Sequence, residues 1–335
     1  MSLAPPKQFK TYEELIDILI ERGMVIDNRE RAIRKLAQVG YYRLSGFWYP
    51  ARMIECDESH KPIQCELLKR PKRLNRFQPG TEFDQVFNLY LFDKKLRLAM
   101  LDGLERIEIF VRSVIAHELG RGKKKQPGSG EDIPEPLAWK DSDYINGKFL
   151  KTRRDNQGRD KPSSWEEWQN KHCRLIERSQ EDCIVWHNKN EKEIPFWAVI
   201  EAWDFGTMSK YYGMLKDQYR QRICLRLGIE NKTETDVLRF WLMEMNILRN
   251  RCAHHTRIWN QHSSRVLKVT SHEYFEDIKE NSNTLSRLYG LIRVMWFLIK
   301  QIGPSSCWFD DVNRLIEQFP QVPGCTLSAL GKPVE

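Results

Sequence analysis

Arg249, Asn250, His254 and His255 crowd into one short stretch, LRNRCAHHTRIWN at residues 248–260, directly after an apolar run. Arginine is a permanent cation whose planar head grips phosphate oxygens two at a time. Histidine exchanges a proton near neutral pH. Asparagine carries a donor and an acceptor that can orient either neighbour. Together these are the functions that RNA cleavage without a metal requires. A base takes the proton of the 2′-hydroxyl, a cation stabilises the charged phosphorane, and an acid protonates the leaving 5′-oxygen. The product is a 2′,3′-cyclic phosphate or its hydrolysed form. The same residue types also suit a helix C-terminus, where cations meet the negative end of the helix dipole. Residue type alone therefore leaves catalysis and capping both open.

Spacing narrows the geometry. Asn250 and His254 are four residues apart and share a helix face, as do Arg251 and His255. Arg249 and His254 are five apart, about 140° around an ideal helix. They converge through a bend, a helix end, the reach of the arginine, or a second chain that supplies its own pair. His255 and Arg257 are candidate supporting residues. A second Arg-x4-His pair, Arg112 and His117, lies in RSVIAH within a long apolar helix. Glu108 and Arg112 are also placed for an ordinary ion pair. From a facing helix, Glu105, Glu108 and Arg112 are candidates to orient Arg249.

The elements that must position these groups read as helices. Val86, Leu89, Phe92, Leu96, Met100, Leu104, Ile107, Val111 and Val114 step by three and four, predicting one long helix that ends at Gly120. Shorter helices are expected around Leu15–Ile20, Ile33–Val39 and Thr233–His255, over roughly 282–302, and at 309–318. YYRLSGFWYPARM, cut by Gly46 and Pro50, reads as a packed turn with structural Tyr42, Arg43 and Trp48. No convincing set of alternating strands is visible. The expected fold is mostly α, a helical bundle. Its divisions are an N-terminal helical segment with a basic loop (1–80), a helical core (81–120 and 195–335) and a loop-rich charged insertion (121–194). The basic loop carries Lys69, Arg70, Lys72, Arg73 and Arg76, either a solvated surface or a set of phosphate contacts.

A formal net charge of +8 favours polyanionic partners such as RNA. No apolar run reaches the ~18 residues of a membrane span, and MSLAPPKQFK does not read as a signal peptide. A cytoplasmic protein with no membrane partner is expected. None of the eight cysteines forms a CxxC pair, and Cys173 and Cys183 with His172 and His187 fit no common zinc spacing. No metal or other cofactor is expected.

Four blocks carry a resemblance: VGYYRLSGFWYPAR, FDQVFNLYLFDKKLRLAMLDGLERIEIFVRSVIAHE, PFWAVIEAWDFGTMSKYY and LRNRCAHHTRIWN. In this order they are similar to successive blocks of the bacterial abortive-infection (Abi) family, AbiD/AbiF-like. R-N-R-C-A-H resembles the R-x4-6-H signature of HEPN ribonucleases, with Asn250 in the usual polar position after the arginine. The resemblance runs from about residue 10 to the C-terminus, apart from the loops near 55–80 and 121–190. The ending, SALGKPVE, lacks the family's usual aromatic finish. The resemblance implies a HEPN-like helical core and catalysis by Arg249, Asn250 and His254. It also implies a homodimer that pairs two motifs around one cleft. RNA is the implied substrate, and a small non-coding RNA is a partner of some relatives in a toxin–antitoxin-like arrangement. The implied role is phage defence by halting growth of the infected cell. The alternative is a non-catalytic protein that grips an RNA with the same residues.

Overall fold

The computed structural model describes residues 5–66, 70–121, 123–125 and 132–333, with 123–125 and 132–134 as backbone alone. Most of the chain is helical. Helix α1 (Tyr12–Glu21) starts where Thr11 and Glu14 form a reciprocal capping box. Asn28 caps α2 (Arg29–Val39), and Gly40, at φ +89°, supplies the left-handed turn after it. Next come α3 (Tyr41–Trp48), β1 (Arg52–Ile54), β2 (Gln64–Cys65), β3 (Arg70–Pro71) and β4 (Arg73–Phe77). β1 pairs antiparallel with β4, and β2 with β3.

The aromatic block expected as a packed turn is helix α3 followed by a tight turn at Tyr49–Ala51. Gly46 does not break it. A Cβ there would lie 3.0 Å from a guanidinium nitrogen of Arg257, so glycine admits that side chain to the helix surface. Pro50 falls only after the helix has ended. Trp48 is buried, as expected, but Tyr42 is 75 % exposed.

Helix α4 (Phe83–Gly120) has 38 residues, about 57 Å at the usual rise per residue. Beyond it β5 (Lys123–Lys125) pairs with β6 (Asp132–Pro134), and β7 (Arg153–Arg154) with β8 (Asp160–Lys161). The remaining helices are α5 (Ser164–Arg178), α6 (Asp182–Lys189), α7 (Phe196–Val199), α8 (Phe205–Met214), α9 (Asp217–Arg226), α10 (Thr235–Ala253), α11 (Ser282–Leu285), α12 (Leu288–Ile302) and α13 (Trp308–Glu317). The apolar run over 282–302 is split because Arg287 adopts an extended backbone at φ −130° and ψ 176°. Gly290 then allows α12 to pass the Thr284 carbonyl, which a Cβ would approach to 2.5 Å.

The chain forms two compact units, and the division falls within α4 after Leu98. The first comprises Met1–Leu98, Arg257–Gln261 and Asp310–Glu335. Its core includes Leu19, Leu36, Trp48, Phe83, Leu89 and Trp259. Fully buried Asp93 pairs with Arg97 and accepts the backbone N–H groups of Ile258 and Trp259 at 2.9 Å each.

The second unit comprises Ala99–Thr256 and His262–Phe309. Its core includes Ile107, Ile115, Tyr211, Trp241, Met245 and Ile292. Trp308 lies across Gly103, and its indole N–H donates to the Ala99 carbonyl at 2.9 Å. His172 is buried against Trp139 and Trp168, and its Nδ1 accepts the Trp203 indole N–H at 2.7 Å. Among the described residues no helix is long and apolar enough to cross a membrane.

Candidate functional site

Helix α10 sets the geometry of the motif. Leu238, Trp241, Leu242, Met245, Leu248 and Cys252 are buried, which fixes the helix in the second unit. The motif occupies its last turn and the residues just beyond it. His254 is the C-cap, and its N–H donates to the Asn250 carbonyl at 2.9 Å. His255 takes a left-handed backbone with φ +57°. Its N–H donates to the Cys252 carbonyl at 3.1 Å, and the Thr256 N–H to the Arg251 carbonyl at 2.8 Å. This double closure normally recruits glycine at the left-handed position. A side-chain-bearing residue there costs about 1–2 kcal/mol. The consequence is a sharp end to the helix that leaves both imidazoles exposed. Arg251 donates to the His262 carbonyl at 3.3 Å.

Arg249 is half-buried and Asn250 exposed. Neither side chain hydrogen-bonds a described residue. The charge of Arg249 reaches the carboxylate of Glu108 on α4. Burial pushes the Glu108 carboxyl up, Arg112 and Arg249 pull it back, and Asp204 and Glu105 add to the rise. Arg112 binds Glu108 at 2.9 Å, Glu201 at 3.3 Å and the Trp203 carbonyl at 3.0 Å. Glu108, Arg112 and Arg249 therefore form one electrostatic cluster. Glu105 and His117 are exposed. No described contact joins Arg112 to His117 or Arg249 to His254.

Arg257 belongs to the first unit. Its guanidinium is enclosed near Gly46 and lies 5.8 Å from the centre of the Phe47 ring. Burial lowers its pKa while Asp93 raises it, and its Nε and one Nη atom are buried without a hydrogen bond to a described residue. It fills a structural niche in that unit. In the basic loop, Arg73 donates to the carbonyls of Pro50 and Arg52 at 2.7 and 2.6 Å, and Lys72 pairs with Glu55 at 2.9 Å. Arg70 stacks 4.8 Å from the Tyr49 ring centre. Arg76 is exposed, and Lys69 lies outside the described residues.

Sequence reasoning missed Asp93, Glu201 and Asn246. Arg97 is a local partner of Asp93, four residues on, but the Ile258 and Trp259 amides, like the partner of Glu201, are brought in only by the fold. Asn246 carried a signal, since it precedes Asn250 by four residues on one helix face. Among the described residues no three His, Cys, Asp or Glu side chains cluster as metal ligands would.

Fold and site define a helical protein that presents arginine, asparagine and histidine at the open end of a buried helix. A sequence-family profile described as Abi-like protein matches residues 34–260, and the chain belongs to this family. The match takes in α3, α4 and α10 with its terminal motif, which ties the chain to the abortive-infection proteins as a group. No curated protein and no solved structure matches the chain.

Proposed function

We propose that this protein is a phage-defence toxin that acts in the cytoplasm as a HEPN-type endoribonuclease without a divalent metal. Arg249, Asn250 and His254 are its reacting groups. The observation that carries this reading is the half-buried Arg249 guanidinium, which hydrogen-bonds no described residue, beside exposed Asn250 and His254 at the end of α10. His254 takes the proton of a ribose 2′-hydroxyl, and the 2′-oxygen attacks the adjacent phosphorus. Arg249 binds the non-bridging oxygens as negative charge accumulates. Asn250 orients the phosphate. The bond to the 5′-oxygen breaks, and that oxygen takes a proton from a second imidazole. The products are a 2′,3′-cyclic phosphate and a 5′-hydroxyl. Glu108 acts as a positioning residue for Arg249.

The spacing of the pair favours a homodimer, in which a second copy supplies that imidazole. Arg249 and His254 diverge by about 140° on an ideal helix, so one chain presents them poorly to one phosphate. A two-fold axis would place the same patch of two copies around one cleft and pool their positive charge.

A second reading is a protein that holds a small RNA with the same groups and does not cut it. The observation in its favour is that no described residue hydrogen-bonds the His254 ring to fix its tautomer. Labelled single-stranded RNA incubated with the protein in EDTA separates the two. Cleavage with cyclic or 3′-phosphate ends is expected. Intact RNA, or activity that returns only with magnesium or manganese, overturns the enzyme reading. Mixing Arg249→Ala and His254→Ala chains restores partial activity only if subunits share the site.

A further inference from the structure

A cleft of about 400 Å³ opens beside α10 in the second unit, one turn before the motif. Its floor is the face of α8 that carries Gly206, Ser209 and Gly213. Its walls include Trp168 and Lys171 of α5 and Arg239, Phe240, Met243 and Asn246 of α10. Gly206 and Gly213 keep that floor clear of side chains. A Cβ on Gly213 would meet the stem of Arg239 at 3.1 Å, and one on Gly206 would lie 3.4 Å from the Asn246 amide.

We propose that this cleft holds one unpaired RNA nucleotide next to the scissile phosphate and that Asn246 reads its base. The proposal rests on the ribonuclease reading above. Three observations support it. The first is continuity. Asn246, Asn250 and His254 follow one another at intervals of four residues, so Asn250 lies about 6 Å and His254 about 12 Å further along the axis.

The second is unengaged polarity. The Asn246 amide is half-buried, lines the cleft and hydrogen-bonds no described residue. An amide with donor and acceptor both open complements the edge of a nucleobase. The third is the distribution of charge. Lys171 is paired with Asp204, Arg153 with Glu167, and Arg239 with Asp236. Lys210 and Arg265 are exposed and form no ion pair with a described residue, which leaves them for the phosphates. Arg239 and Arg265 lie 4.5 and 5.4 Å from the centre of the Phe240 ring. Guanidinium planes held on an aromatic ring are platforms for splayed bases. The size of the cleft and the need for an exposed base edge favour a single strand over a duplex, whose bases are stacked and paired.

Two measurements test the proposal. In the first, a randomised single-stranded RNA pool is digested and the cut sites are sequenced. The parent protein should favour one base adjacent to the cut by about tenfold, the scale of one bidentate contact. Asn246→Ala should level that preference. Asn246→Asp, which replaces a donor with an acceptor, should move it towards cytosine, whose amino group a carboxylate accepts. The readout is the ratio between bases, so a change in overall rate does not obscure it. In the second measurement, His254→Ala protein is photocrosslinked to 4-thiouridine RNA and digested. The crosslink is expected on the peptide containing Phe240–Asn246.

The outcomes separate the two readings. A parent that cuts RNA with no base preference, or with one that both Asn246 variants retain, overturns the base-reading role while leaving the ribonuclease. Crosslinks confined to other peptides overturn the cleft. A parent that cuts nothing but crosslinks in the cleft removes the ribonuclease reading and leaves an RNA-binding subsite.

Discussion

Asp93 makes the sharpest stability test, because it is fully buried and every bond it makes is identified. One carboxylate oxygen accepts the N–H groups of Ile258 and Trp259 at 2.9 Å each, and the other pairs with Arg97. Burial pushes this carboxyl up, and Arg97 with the two N–H groups pulls it back. Asp93→Asn keeps an acceptor for both N–H groups but strands the buried Arg97 cation, a loss of about 3 kcal/mol. Asp93→Ala also leaves two buried donors unpaired, at about 1–3 kcal/mol each before relaxation. The total of about 5 kcal/mol approaches the whole stability of a small domain. Asp93→Asn with Arg97→Met removes the stranded charge and should recover all but about 1 kcal/mol. Urea unfolding followed by tryptophan fluorescence measures each value. If Asp93→Ala lies within about 1 kcal/mol of the parent, or the double variant shows the sum of its singles, the anchor argument fails.

Burial lowers the His172 pKa from 6.5 to about 4, with a smaller push from Lys140. Its folded value lies below its unfolded value, so this contribution is complete above pH 6.5 and is lost as pH falls towards 4. The loss should reach about 3 kcal/mol. His172→Phe should flatten that part of the urea-midpoint profile, and an unchanged slope counts against it. Arg112→Met should destabilise by about 2 kcal/mol, because it strands the half-buried Glu108 and removes a donor from the Trp203 carbonyl. Arg249→Ala should cost less than about 0.5 kcal/mol, because its guanidinium hydrogen-bonds no described residue. Thermal unfolding compares these two, and the reverse order would refute the assignment. RNA affinity should fall with salt at a slope of about −0.7 for each phosphate contacted. A flat dependence in filter binding would argue against a phosphate-contacting surface.

Much of the fold was legible because its signals are local. Thr11 and Glu14 announce the start of α1, steps of three and four announce α4, and Gly120 ends it. The end of α10 at the motif was also legible in outline. The left-handed backbone at His255 was not, since histidine carries no strong preference for it. Helix α3 was misread because Gly46 looks like a breaker until Arg257, far along the chain, is seen to need its bare surface. Asp93 sat unnoticed in a helical stripe because its partners Ile258 and Trp259 lie 165 and 166 residues away. In sequence Arg73 is open to either a solvated or a phosphate-contacting role, but its donors close on the carbonyls of the neighbouring turn.

Polar and charged residues thus divide by whether the fold has already engaged their polar atoms. Arg73, Arg97 and Arg112 are held by carbonyls or carboxylates, and moving them to a ligand would break bonds that folding made. Arg249, Asn250, His254, Asn246 and Lys210 have no such engagement with described residues. A phosphate or base bound by them meets groups that water now solvates in part, and no internal bond is lost. The two Arg-x4-His pairs illustrate the difference. They share a spacing, but the Arg112 guanidinium has three protein partners, while that of Arg249 hydrogen-bonds no described residue and is coupled to the Glu108 carboxylate by charge. Identical spacing therefore gives one pair an arginine already held by the protein and the other an arginine that hydrogen-bonds no described residue, which on the proposed ribonuclease reading would be the one to follow charge as it develops on a substrate.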